Sequence, residues 1–163
     1  MKRLTEEEEL FRRKYGHVDK RTVQYLNAVL RSIGVVGDVS DFAHVSHKPP
    51  LREEEVMYQY TRPTLAGYET IEIGQKNGKW VVQIAMASGD ELVYIFFVFN
   101  RRPSMKDIKT ALLVDRLYQA FWFGTLSPVF TCWECGRETH WLDTAGKTLE
   151  EKVEMLQEKY CGC

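Results

Sequence analysis

Residues 68–100 read YETIEIGQKNGKWVVQIAMASGDELVYIFFVFN, three apolar runs separated by two short polar breaks. In the first run Ile71 and Ile73 recur every second residue. Trp80, Val82, Ile84 and Met86 do the same in the second. A period of two places such residues on one side of a pleated strand. Asn77-Gly78, within KNGK, accepts the positive φ of a tight hairpin turn. SGDE (88–91) turns the chain again. The third run, ELVYIFFVFN, is apolar at positions that point both ways, which predicts a strand covered on both sides. The expectation is an antiparallel meander with strands at about 68–75, 79–87 and 91–100.

Helical signals flank the meander. Thr5 and Glu8 have capping-box spacing, and Leu10, Phe11 and Tyr15 share one side of a short helix over about 5–15 that Gly16 ends. Val23, Leu26, Leu30 and Ile33 recur at helical spacing over about 19–33, before Gly34. The two segments predict an N-terminal helical hairpin. Beyond the meander, Ser104 and Asp107 open a helix over about 104–123 that is apolar nearly all round, from Ile108 through Trp122. Such a helix is buried on more than one side, against the sheet or in an oligomer interface. Residues 35–65 have no clear period: GDVSDFAHVSHKPPLREEE is rich in turn formers, and EVMYQYT (55–61) fits a short strand or a helix.

The chain has 163 residues, 44% hydrophobic and 28% charged, with a net charge of −1. That supports a genuine core and argues against holding nucleic acid by bulk charge alone. The opening MKRLTEEEELFRRKYG has no apolar core of a secretory signal, and LVYIFFVF is too short to span a bilayer. A reducing cytoplasm and no membrane association are expected.

In such a compartment spaced cysteines are metal ligands or catalytic more often than disulfides. All four lie in CWECGRETHWLD (132–143) and the terminal YCGC (160–163). Cys132 and Cys135 have the spacing of a knuckle that points two thiolates at one metal. Gly162 lets Cys161 and Cys163 face a common centre, and a helical stripe of Leu149, Val153, Leu156 and Tyr160 would return them to the first pair. Four thiolates in tetrahedral array fit a structural Zn²⁺ with no open position. His140 is the alternative ligand; the fourth ligand of a complete knuckle would fall on Ala145. A redox pair at Cys132 and Cys135, unconnected buried cysteines and an iron–sulfur cluster are the competing readings. Residues 130–163 resemble a zinc-ribbon or treble-clef-like module.

Two other groups carry chemistry. Asp38, Asp41, His44 and His47 share the unpatterned loop and could hold a catalytic metal or supply a general base; an ordinary polar loop is the plainer reading. Arg12, Arg13, Lys14, Lys20 and Arg21 form one basic cluster, and Arg101, Arg102, Lys106 and Lys109 a second. Either could meet phosphate, or be ordinary surface.

The expected architecture is α+β. Residues 1–127 hold the helical hairpin and a three- to four-stranded meander packed with the long apolar helix, and 128–163 form the zinc subdomain. The expected function is a non-catalytic binding or regulatory protein acting through protein–protein contacts, with homo-oligomers among the partners. A nucleic-acid-binding module is the alternative, and an enzyme using the 38–47 loop a lesser one. Elemental analysis of protein purified without chelator should find a single zinc ion per chain, lost in Cys161→Ser/Cys163→Ser and retained in His140→Ala.

Overall fold

The structure is a computed structural model, and it describes residues 3–43, 46–64, 67–88, 91–123, 129–131, 138–140, 148, 150, 151 and 154. Its centre is a five-stranded antiparallel sheet in the order β1-β5-β4-β3-β2. The strands are β1 (Val35–Val36), β2 (Val56–Thr64), β3 (Gly67–Lys76), β4 (Lys79–Ser88) and β5 (Glu91–Phe99). Three helices accompany it: α1 (Glu6–Tyr15), α2 (Lys20–Ser32) and α3 (Met105–Phe123). A separate pair joins β6 (Val129–Thr131) to β7 (Glu138–His140).

The meander forms in the expected register. Ile71 lies opposite Ile84, Ile73 opposite Val82, and Val82 opposite Phe97. Asn77 and Gly78 take φ of 54° and 76°, the left-handed pair that the β3–β4 turn requires. One face of the sheet therefore presents Ile71, Ile73, Val82, Ile84, Phe97 and Phe99, all buried. Leu26 and Leu30 of α2 and Ile108, Leu112 and Leu117 of α3 join them in one core.

Each helix begins at its expected cap. The amide of Glu8 donates to Thr5 Oγ1 at 3.2 Å, and that of Thr22 to Asp19 Oδ2 at 3.3 Å. Ser104 and Asp107 exchange hydrogen bonds in a full capping box, at 3.1 and 3.0 Å. α2 packs along α3, whereas α1 reaches the core through Phe11 and Tyr15. α3 is buried continuously from Ile108 to Asp115 and again at Leu117, Tyr118 and Ala120 within this one chain, so its apolar circumference is explained without an oligomer interface.

Two strands exceed the expected meander. β1 pairs with β5, Val35 opposite Phe99, and β2 pairs with β3 along its length. β2 escaped periodicity because Met57, Tyr58, Gln59, Tyr60 and Thr61 are all exposed; with no buried face, no alternation marks it.

Residues 46–55 form a strap that takes the chain from one edge of the sheet to the other, across the face opposite the helices. Ser46 exchanges two backbone hydrogen bonds with Tyr94 of β5, at 2.9 and 2.7 Å. The Leu51 amide then donates to the buried Oε1 of Gln83 on β4 at 2.7 Å, and Lys76 Nζ donates to the Pro50 carbonyl at 2.8 Å. The Leu51 side chain is buried there. Coverage of this face is incomplete: Leu92 remains 56% exposed and Phe96 37%. The expectation that β5 is covered on both sides thus holds on the helix side only, because the strap lies over β3 and β4.

Gly74 marks the crossing. A Cβ there would collide with the Glu55 carbonyl oxygen and lie 3.2 Å from Leu51 Cδ1. Gly74→Ala must push the strap off the sheet, and should cost about 1–3 kcal/mol in urea unfolding. An unchanged midpoint would show that the strap does not press on β3.

Candidate functional site

Asp38 follows β1 and is the most heavily bonded side chain of the 38–47 segment. Its Oδ1 accepts from Tyr15 Oη at 2.7 Å and from Asn27 Nδ2 at 2.8 Å. Its Oδ2 accepts from the Ser40 amide at 3.0 Å and the Ser40 hydroxyl at 2.8 Å. Asn27 also accepts from the Val39 amide, and Asp41 caps the Asp38 amide. These bonds pin the 3-10 turn Val39–Ala43 to α1 and α2. Burial raises the Asp38 pKa, but donation from Ser40, Tyr15 and Asn27 outweighs it and holds the carboxyl below its ordinary value. The Tyr15 hydroxyl is pushed up to about 12, first by burial and then by its bond to Asp38.

The loop's other candidates are dispersed. His47 is well exposed and lies 3.7 Å from Glu91 Oε2, at the start of β5. β1 instead pairs at the end of β5, opposite Val98 and Phe99. Asp38 and Asp41 therefore stay with the helices while His47 stands at the other end of the strand. His44 lies outside the described residues.

Several residues of the basic clusters are engaged within the chain. Arg21 pairs with Glu150 at 3.4 Å, and Arg101 with Asp107 at 3.1 Å. The Arg102 guanidinium lies over the rings of Tyr58 and Trp80, 4.9 and 5.6 Å from their centroids. Lys109, expected on a basic surface, is buried in α3, because that helix is enclosed on every side over this stretch. Arg12, Arg13, Lys20 and Lys106 are exposed.

Cys132, Cys135, Cys161 and Cys163 lie outside the described residues. The backbone around the first pair is described: β6 and β7 are antiparallel, and Thr131 opposite Glu138 closes the ladder on the 132–137 connection. His140 lies opposite Val129, at the far end of that ladder. Thr148 Oγ1 accepts from the Glu151 amide at 3.2 Å, the bond of a helix N-cap.

Two features were not singled out from the sequence. The first is the outer edge of β2, whose one ladder partner among the described residues is β3. Met57 (53% exposed), Tyr58 and Tyr60 (48%) stand along it. The second is a cavity of about 410 Å³ between the end of α1, the 3-10 turn and the end of α3. Arg13, Lys14, Ser40, Tyr118, Gln119, Trp122 and Phe123 line it. Beneath it Asp115 is buried and accepts from Gln119 Nε2 at 3.2 and 3.1 Å. Burial drives the Asp115 carboxyl up from its ordinary 3.8 to about 7, against the opposing pull of Gln119 and Arg116. The signal was present in the sequence, as an Asp inside the apolar run ALLVDRLYQAF (111–121).

The chain matches no protein-family model, no curated protein and no solved structure.

Folded Asp115 holds its proton more tightly than unfolded Asp115. Its contribution to stability is therefore full below about pH 4 and is lost as pH rises to about 7. Asp115→Asn should remove that loss, making the variant more stable than the parent near neutral pH and above by up to about 4 kcal/mol. Urea titrations across pH should show the gap closing in acid.

Proposed function

We propose that the chain is a non-catalytic binding or regulatory protein that acts through protein–protein contacts and carries a structural zinc. The observation that carries this reading is the β2 edge. A free strand edge offers a row of unpaired N–H and C=O groups, and natural proteins blunt such edges unless they use them. β2 has a register shift between Val56 and Tyr58 and Pro63 near its end, but the stretch between carries neither bulge nor proline. Its exposed Met57, Tyr58 and Tyr60 offer apolar and aromatic anchors beside that edge. An extended partner segment would add to the sheet through backbone bonds and gain specificity from these side chains.

The loop chemistry gives less support to an enzyme. The Asp38 carboxylate already accepts four hydrogen bonds within the fold. The nucleic-acid reading is weakened in the same way, since Arg21, Arg101 and Arg102 face partners in the chain and Lys109 is buried. The zinc proposal rests on the cysteine spacing, and the β6–β7 ladder supports it by bringing the chain back on itself around the connection that holds Cys132 and Cys135.

A photocrosslinking amino acid at position 60 should give a discrete protein adduct in the native cell, whereas the same group at exposed position 24 on α2 should not. Met57→Lys/Tyr60→Lys should weaken binding of the captured partner by about tenfold or more. Equal adducts from both positions, or none, would sink the edge-strand reading.

A further inference from the structure

The cavity at the end of α3 has an uneven chemical lining. Among the described residues, Arg13 and Lys14 are the charged groups of its lining. The nearby Asp38 carboxylate stands behind Ser40, where four hydrogen bonds from within the fold already meet it. The larger cavity nearby, about 650 Å³, pairs Arg12 and Lys20 with Glu7 and Glu8. Its charges balance, so it has no reason to prefer an anion. The smaller one does.

Its other polar groups have a fixed direction. The Ser40 hydroxyl gives its proton to Asp38, leaving the oxygen lone pairs as acceptors. Gln119 turns its NH₂ to Asp115, so the Oε1 acceptor is what its amide has left to offer. The remaining wall is aromatic. Tyr118 and Trp122 lie with ring centroids 6.2 Å apart, and the Trp122 ring packs directly on Gly16, which fixes it. Phe123 follows, 76% exposed. Tyr118 is buried and its hydroxyl has no hydrogen-bond partner among the described residues, which leaves a polar atom unsatisfied in the cavity wall. The volume is in the range that holds a small organic ligand.

We infer that this cavity binds a small aromatic anion whose ring stacks on Trp122 and Phe123. The anionic group, carboxylate or phosphate, meets Arg13 and Lys14. An N–H or O–H donor at the other end of the ligand meets Ser40 Oγ and Gln119 Oε1. No covalent step is involved. The site is separate from the β2 edge, so failure of either proposal leaves the other standing.

The test uses the full chain, ¹⁵N-labelled at tryptophan, with the Trp122 indole signal assigned by Trp122→Phe. Indole-3-acetate supplies an aromatic carboxylate, adenosine monophosphate an aromatic phosphate, and acetate and inorganic phosphate the bare anions. Saturable movement of the Trp122 signal with an aromatic anion is expected, and whichever of the two binds more tightly identifies the head group. Arg13→Gln/Lys14→Gln should weaken that binding by about tenfold or more, whereas Arg12→Gln/Lys20→Gln, in the neighbouring cavity, should leave it unchanged. The altered cations are exposed, and an unchanged thermal transition would confirm that both variants are folded. No movement of Trp122 with either aromatic anion at millimolar concentration would overturn the inference. So would equal binding of the bare anions, or full affinity in the Arg13/Lys14 variant.

Discussion

Between β1 and β2 the chain must travel from one edge of its sheet to the other, and it does so across the face that no described helix covers. Much else follows from that route. The helices are confined to the opposite face, where α2 and α3 bury the alternating residues of β3, β4 and β5. The strap cannot form a ladder of its own while lying across strands, so its backbone groups need side-chain partners. Gln83 serves this purpose. Its amide is buried between the Leu51 N–H and the Glu72 carboxylate, under the strap. Gly74 makes the approach sterically feasible.

The turn that begins this route is held by an equivalent polar device. Asp38 takes hydrogen bonds from α1, α2 and its own turn, so one carboxylate joins three segments distant in sequence. The same arrangement shapes the chemistry nearby. It orients the Ser40 hydroxyl, and its negative charge, after burial, helps hold the Tyr118 phenol protonated with a pKa near 12. A residue that reads in sequence as a candidate base acts in the fold as an acceptor that organises its neighbours.

Legibility followed burial pattern. The β3–β5 hairpins were readable because one face is buried and Asn77-Gly78 has turn chemistry that few other pairs supply. The three helix starts were readable because Thr5, Asp19 and Ser104 satisfy their own local amides. β2 was readable only as a short strand or a helix, since neither of its faces is buried over Met57–Thr61. The strap was not readable, since its partners, Gln83, Tyr94 and Gly74, lie far along the chain. Lys109 has a surface residue's charge, but it sits on the stretch of α3 that is buried all round. The cavity depends on α1, the turn and α3 meeting, and no local spacing encodes that meeting. The cysteine spacing was legible, but its residues fall outside those described.

The sheet order also implies a sequence of events in folding. β2 to β5 form by three successive hairpins, each closing a short loop at small entropic cost. β1 is different: Val35 meets Phe99 only when nearly the whole sheet has intervened, and the strap bond of Ser46 to Tyr94 belongs to the same distant closure. Such non-local pairing comes late, because loop entropy must be lost before contacts repay it. The nascent meander therefore presents the backbone of β5 at Val98 and Phe99 as an open edge until β1 docks. In the order of synthesis β1 leaves the ribosome first, so it is β1 that waits through translation of the meander, while the open edge of β5 lasts only as long as the closure itself takes.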